Sequence, residues 1–305
     1  MDYFNEVDIF DDGWVFLLGG SNSVRDYWIN GKSINDITLE RWLKVYKQRI
    51  SFFKQQNIKY LSFFAPEKLT IYSNKCSLNV NEDKIPSHQL MNYLAKEEGI
   101  SSVILDIIPY LRSQSETYLT YHKTDSHWNF TGAYSAYQLI QATLKEPVFI
   151  DALRQPKKVN WNIMDLGGKF DPPLRERTYY YQSSGNFERT YANELVKFKE
   201  SEHRENDIGL HVGSYVIYKN KSALSNKVLM IFGDSFSEYR DHLLTGLMAE
   251  TYKEVHFIWN TSLDFELIKQ VSPDIVISEM AERFIVKPPS DVVQINLNNT
   301  NNGIR

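Results

Sequence analysis

The sequence predicts a three-layer α/β/α fold around a mostly parallel sheet. Two observations predict it. Apolar runs of strand length alternate with helical periodicities across at least five strands, and such alternation puts helices on both faces of a parallel sheet. The chain is also long, at 305 residues, which allows one large α/β domain able to bury about 75% of its unfolded surface without a disulfide or metal. The rhythm breaks once, over residues of about 145–226, where an irregular or β-rich insertion is expected.

Taken in order, Asp11-Asp12-Gly13 is a turn signal leading into a short strand over residues 14–18. Leu39, Trp42, Leu43, Tyr46, Ile50 and Phe53 recur at helical offsets, predicting an amphipathic helix with Thr38 as its N-cap. The run IKYLSFFA, residues 58–65, is a buried strand stopped by Pro66. A second helix is expected over residues 87–98, ending at Gly99, and another strand over 103–107. After a polar loop, a helix from about residue 131 to 144 carries Ala133, Ala136, Tyr137, Ile140 and Leu144 on one face. Beyond the insertion come a strand at 228–232, a helix carrying Tyr239, Leu243, Leu247 and Met248, a strand at 255–259, a short helix and a strand at 274–278. One domain is therefore expected over residues 1–290, with 291–305 as a flexible tail.

Composition excludes several classes. With 38 acidic against 34 basic side chains and a net charge of −4, no basic excess marks a nucleic-acid protein. No apolar run approaches the roughly 18 residues of a membrane span. The single cysteine, Cys76, excludes an internal disulfide and a cysteine zinc site. The acidic N-terminal segment lacks a signal-peptide core. The chain as written is thus expected in the cytoplasm, and outside it if a leader has been removed.

Two motifs carry chemistry, both expected at carboxyl ends of strands, where open α/β sheets place ligands. Phe232-Gly233-Asp234-Ser235-Phe236-Ser237 joins an apolar strand to an amphipathic helix. Ser235 would sit at the turn, Gly233 would permit close backbone approach, and the first N–H groups of the helix would help hold an oxyanion. An ordinary N-cap serine is the bland alternative. Thr124-Asp125-Ser126-His127-Trp128 precedes another helix. A serine hydroxyl needs a base, and an imidazole base needs a carboxylate to fix its tautomer. Asp125 and His127 are spaced for that pairing. A surface Asp and His beside a core Trp is the alternative. A metal site from His122, Asp125 and His127 finds no second cluster, and no metal is expected.

Together the GDSFS serine and the upstream D-x-H-W pair resemble SGNH-type hydrolases and acyltransferases. Within these the chain is most similar to the domain of the alginate O-acetylation proteins AlgJ and AlgX. Asp12-Gly13-Trp14-Val15-Phe16, Pro66-Glu67-Lys68 with Tyr72, and Glu282-Arg283 carry the same resemblance. It implies a circularly permuted order, with the Asp/His segment ahead of the nucleophile strand. Where ordinary members have an oxyanion glycine and asparagine, this chain reads Trp259-Asn260 and Ser278-Glu279-Met280. Only the Ser235 N–H is therefore assigned to the oxyanion hole.

The implied function is a serine-dependent O-acetyltransferase acting on a bacterial polysaccharide or its precursor. Ser235 would be the nucleophile, His127 the general base and Asp125 its orienting group. The implied partners are a polysaccharide or oligosaccharide acceptor and an acyl-transferring membrane protein. No bound cofactor is expected, only an acetyl donor. A carbohydrate acetylesterase with the same triad and a silent glycan-binding scaffold are the alternatives. Lys68, Tyr72, Trp128, Tyr239 and Arg283 are secondary candidates for substrate contact. Against that role stand a solvated Lys68, a core Tyr72, a Trp128 that packs the His127 loop, and an Arg283 paired with Glu279 or Glu282. The aromatics of the insertion, Trp161, Tyr179, Tyr180, Tyr181 and Tyr191, read as the core of a small subdomain, with a carbohydrate platform as the alternative.

Overall fold

A computed structural model describes residues 6–291 apart from 21 and 156. The chain opens with β1 (Val7–Ile9), β2 (Val15–Leu17), α1 (Val24–Trp28) and α2 (Asp36–Gln56), followed by β3 (Lys59–Ala65), α3 (Lys68–Ile71), α4 (Pro86–Leu94), β4 (Ile104–Leu105), α5 (Ile108–Ser115) and α6 (Phe130–Leu144). The insertion contributes β5 (Lys157–Ile163), β6 (Arg175–Tyr181), β7 (Phe187–Ala192), α7 (Glu194–Ser201) and β8 (Tyr215–Asn220). Then come β9 (Ser225–Gly233), α8 (Leu244–Thr251), β10 (Tyr252–Trp259), α9 (Phe265–Val271) and β11 (Ile275–Ala281).

The central sheet has the order β4-β3-β11-β9-β10-β8-β7. Its pairings from β4 to β10 are parallel, and β8 and β7 extend it antiparallel. Because successive side chains on a strand point to opposite faces, the apolar strands divide between two layers. Leu229, Ile231, Val255, Phe257, Ile275 and Ile277 pack with α4, α6 and α8. Met230, Phe232, Ile258 and Val276 face Phe53 of α2 and Leu267 and Ile268 of α9. Burial on both faces explains why these strands read as continuous apolar runs. No helix among the described residues is long and apolar enough to cross a membrane.

Several expectations change. The N-cap of α2 is Asn35, whose Oδ1 accepts the Thr38 N–H at 2.8 Å, so the helix starts two residues before Thr38. The strand expected at 103–107 shrinks to Ile104–Leu105, because Asp106 accepts the Ile108 N–H and Pro109 lies in the first turn of α5. The insertion takes the β-rich of the two forms expected and joins the main fold. Its β7 and β8 complete one edge of the sheet, while β5 and β6 form a two-stranded antiparallel ribbon. Its aromatics divide likewise, with Tyr181 buried but Trp161 65% and Tyr179 47% exposed.

Asp291 is likewise no part of a loose tail, while residues 292–305 lie outside the described residues. Its carboxylate accepts from Arg49 Nε at 2.7 Å and Nη2 at 2.9 Å, with both side chains at most 2% exposed. Arg49 also donates to the Thr261 carbonyl, Tyr60 and Ser278, and Asp291 accepts the Leu263 N–H. This network ties α2 to the loop after β10 and to the end of the described chain. A buried ion pair is costly to break from one side, since the remaining charge stays desolvated. Asp291→Ala should therefore lower the unfolding free energy by about 3–5 kcal/mol, measured from urea midpoints. The double change Arg49→Met, Asp291→Leu should be less damaging than Asp291→Ala. A single mutant as stable as wild type would contradict this account.

Candidate active site

The carboxyl ends of β3, β9, β10 and β11 open on one edge of the sheet, with Gly233 in register with Trp259 and Ala281 with Ala65. Ser235 follows β9 there. Gly233 is required by packing rather than by a left-handed backbone. A Cβ at that position would lie 2.8 Å from Glu279 Oε2 and 3.0 Å from Ser237 Cβ. Asp234 then shapes the turn. Its carbonyl accepts the N–H groups of Ser237 and Glu238, and its Oδ1 accepts that of Phe236 at 3.1 Å. Its Oδ2 accepts the Ala281 N–H at 2.7 Å, pinning the turn to the end of β11.

This corrects the expectation of a helix starting at Ser235. The helix α8 begins only at Leu244, and the turn N–H groups meant for an oxyanion are taken by Asp234. The Ser235 N–H alone in this turn makes no hydrogen bond among the described residues. Beneath the turn, Glu279 is fully buried and accepts the Asp234 N–H at 3.0 Å. Burial and the neighbouring Asp234 raise its carboxyl pKa well above the usual range.

The second half of the site arrives from the loop between α5 and α6. His127 Nε2 lies 2.7 Å from Ser235 Oγ, and His127 Nδ1 lies 2.7 Å from Asp125 Oδ1. The same carboxylate oxygen accepts the His127 N–H at 2.9 Å, which fixes the loop as well as the ring. Burial pulls the His127 pKa down, but Asp125 and then Asp165 outweigh it, so the imidazole titrates above its ordinary value. Asp125 is buried, which would raise its pKa, yet the adjacent His127 holds it well below the usual carboxylate range. The arrangement can accept a proton from Ser235 and keep the resulting imidazolium paired with a carboxylate.

The loop itself is held by residues first weighed for substrate contact, Trp128 among them in the packing role the sequence favoured. Lys68 Nζ donates to the carbonyls of His122 at 3.1 Å, Lys123 at 2.8 Å and Asp125 at 2.6 Å. It is 2% exposed, and burial lowers its pKa to about 8. It is a clamp, not a substrate contact. Tyr72 is buried and its hydroxyl accepts the Thr120 N–H at 2.9 Å. Trp128 is buried too, its indole N–H donating to the Phe236 carbonyl at 3.1 Å, which locks the His127 loop onto the Ser235 turn. Tyr239 lies in the core against Phe257. Arg283 pairs with Glu67 at 2.8 Å, not with Glu279 or Glu282, and its guanidinium covers the Phe236 ring.

Two acids that sequence reasoning missed come from the insertion. Glu176 on β6 accepts the N–H groups of Lys123 and Thr124 and the Thr124 hydroxyl, all within 2.9 Å. Burial opposes its charge, but those donors and His122 hold its pKa down to about 2. Asp165 accepts the Ser126 N–H at 2.7 Å and the Ser126 hydroxyl, and lies 3.9 Å from His127 Nδ1. Neither carries a local sequence signal, since both act only after the ribbon folds back on the loop. Donor atoms of Asp125, His127 and Asp165 lie within 4.8 Å of one another, a set that could hold a cation. Here each residue of the trio is engaged with Ser235, Ser126 or its neighbour in the trio. His122 instead faces Glu176 at 3.7 Å.

Replacing Lys68 by Met should expose the role of the clamp. The His122 and Asp125 carbonyls lose this donor while the Lys123 carbonyl keeps the Val15 N–H, at a cost of about 1–3 kcal/mol for each buried carbonyl left unpaired. The displaced loop should slow any Ser235-dependent ester turnover at least about tenfold. Unchanged melting and unchanged turnover of p-nitrophenyl acetate would refute the clamp.

Comparison with known proteins places the fold. The family model described as SGNH hydrolase-like domain, acetyltransferase AlgX, matches residues 11–165, just over half of the chain. That match includes Asp125 and His127 and stops before Ser235. Solved structures with the same fold cover both halves. PatB1 of Bacillus cereus, solved with a sulfonyl adduct, has a TM-score of 0.61 at 17% identity, covering 92% of this chain and 95% of that one. A DHHW family protein from Eubacterium siraeum gives 0.63 at 15% identity, covering 93% of each chain. The O-acetyltransferase domain of Pseudomonas putida AlgJ gives 0.57 at 12% identity, covering 93% and 94%. No curated protein matches the chain. The family match and the fold, with its Asp/His loop ahead of the serine strand, lead to one assignment: the chain belongs to the SGNH hydrolase-like, AlgX-type acetyltransferase family.

Proposed function

We propose that this protein is a serine-dependent O-acetyltransferase that modifies hydroxyls of a bacterial polysaccharide or its precursor. The observation that carries the reading is the continuous hydrogen-bonded relay from Asp125 through His127 to Ser235, with 2.7 Å at each step. His127 Nε2 takes the Ser235 proton as Oγ attacks the donor carbonyl, and the same proton passes to the departing group as the acyl-serine forms. A sugar hydroxyl then gives its proton to His127 and attacks the acyl-serine carbonyl. Collapse transfers the acetyl group to the sugar oxygen, and the proton returns to Ser235 Oγ. The Ser235 N–H, unpaired among the described residues, is the group we assign to the oxyanion in both steps. The donor could be supplied by a membrane-bound acyl-transferring partner.

Acetate release is the second reading, because the His127 side chain is 26% exposed and water can compete with the sugar hydroxyl. Product analysis separates the two. The transferase reading expects an acetylated glycan and fails if acetate is released at equal rates with and without acceptor.

The nucleophile is tested by intact-protein mass spectrometry after incubation with p-nitrophenyl acetate. A one-acetyl adduct or steady nitrophenol release should appear in wild type and fall at least about 10³-fold in Ser235→Ala. An aryl sulfonyl fluoride should label wild type once and leave Ser235→Ala unlabelled. Undiminished turnover or labelling in the mutant would remove Ser235 from the mechanism.

The pH dependence follows from the same geometry. His127 must be neutral to act as base, and its raised pKa places the acid limb of kcat/KM above the ordinary value of about 6.5. Asp165→Asn removes one of the negative charges that stabilise the imidazolium, so the limb should move to lower pH. An unmoved limb would show that Asp165 does not act on His127.

A further inference from the structure

The β5–β6 ribbon has two unlike faces. Asn160 and Asn162 stand opposite Thr178 and Glu176, and Val159, Trp161 and Ile163 stand opposite Tyr179, Arg177 and Arg175. The first set, Asn160 apart, which is exposed, turns inward. Thr178 is buried, Asn162 donates to the Thr178 and Tyr180 hydroxyls, and Glu176 grips the loop that carries Asp125. The second set is open to solvent. Trp161 is 65% exposed, Tyr179, Ile163 and Val159 are each more than 40% exposed, and both arginines are exposed.

A contiguous apolar patch of this kind marks an interaction surface, and its charge says what it meets. These six side chains include two cations and no acid, in a chain whose net charge is −4. Neither Arg175 nor Arg177 forms an ion pair among the described residues, and the Arg177 guanidinium lies 5.3 Å from the Tyr179 ring centroid. The two arginines are two residues apart on one strand, so they project about 7 Å apart. Guanidinium forks bind carboxylate or phosphate in bidentate fashion. The flat rings of Trp161 and Tyr179 beside Arg177 suit the apolar face of a pyranose. A partner that presents rings and anions in alternation is an acidic glycan.

We propose that the outer face of this ribbon is a binding platform for an acidic polysaccharide, with Trp161 as the stacking surface and Arg175 and Arg177 as the anion contacts. The proposal deepens the acetyltransferase reading and rests on it for the identity of the polymer as acceptor. The ribbon's position supports that link, because its opposite face holds the His127 loop through Glu176 and meets His242 through Tyr180. A glycan strand held on the platform is kept one ribbon's thickness from that loop.

Affinity electrophoresis tests this with three polymers in the gel: polygalacturonate, its fully methyl-esterified form, and a phosphomannan. Wild type should be retarded by polygalacturonate, phosphomannan or both, and the pair tells carboxylate from phosphate. Retardation should weaken with salt and be largely absent with the ester. Trp161→Ala and the double change Arg175→Ala, Arg177→Ala should each lose at least fivefold in retention. Melting temperature and p-nitrophenyl acetate turnover should stay at wild-type values, since none of the three side chains touches Ser235 or the His127 loop. Equal retardation by the neutral ester, no retardation of wild type by any polymer, or full retention in both variants would overturn the proposal. So would a Trp161→Ala variant whose sedimentation reports a lost dimer, which would make the face a contact between copies. Failure of ester turnover with retention intact would count against the serine chemistry alone.

Discussion

The carbonyl oxygens of His122, Lys123 and Asp125 converge on the buried ammonium of Lys68. A loop turning over a protein interior has carbonyls that helix and sheet ladders do not satisfy, and leaving them unpaired costs about 1–3 kcal/mol each. Lys68 reaches all three at once from the first residue of α3, just past β3, and the Val15 N–H adds a second bond to the Lys123 carbonyl, fixing the loop relative to the sheet. The position of His127 over Ser235 follows, because the two residues are 108 apart in sequence and share no element. Trp128 then closes the assembly with its bond to the Phe236 carbonyl.

The edge of the sheet around Ser235 is crowded with buried charge and acid. Arg283 pairs with Glu67. Glu282 accepts from Ser87, Thr70 and the Glu67 N–H, and burial raises its pKa to about 7. Asp234 and Glu279 share the underside of the serine turn. Replacing such groups by apolar residues would often be neutral or stabilising for a fold. Their value here is directional, since hydrogen bonds fix angles that apolar contacts leave free. The serine turn is thereby held rigid on the site side while the middle of the strands is ordinary apolar core.

The division of the insertion's aromatics shows how a two-residue period can mislead when read without knowing which face is covered. Trp161, Tyr179 and Tyr181 belong to one short ribbon, yet Tyr181 is buried and the other two are exposed. Composition alone made all of them core. The acids Glu176 and Asp165 were invisible for the same reason: nothing about an isolated Glu or Asp in an irregular stretch says that a distant loop offers it N–H groups.

The local sequence did determine the strands β3, β9, β10 and β11, because runs buried on both faces must be apolar throughout. It also determined the two motifs, because Gly233 is demanded by contact with Glu279 and the spacing of Asp125 and His127 lets one carboxylate oxygen hold both ring and backbone. Tertiary structure alone decided the rest. Whether Lys68 faces solvent or clamps a loop, which carboxylate Arg283 meets, and where α8 begins depend on groups more than a few residues away. Local propensity carries no information about such partners, and the energy of a buried polar group is set by whichever partner the fold delivers.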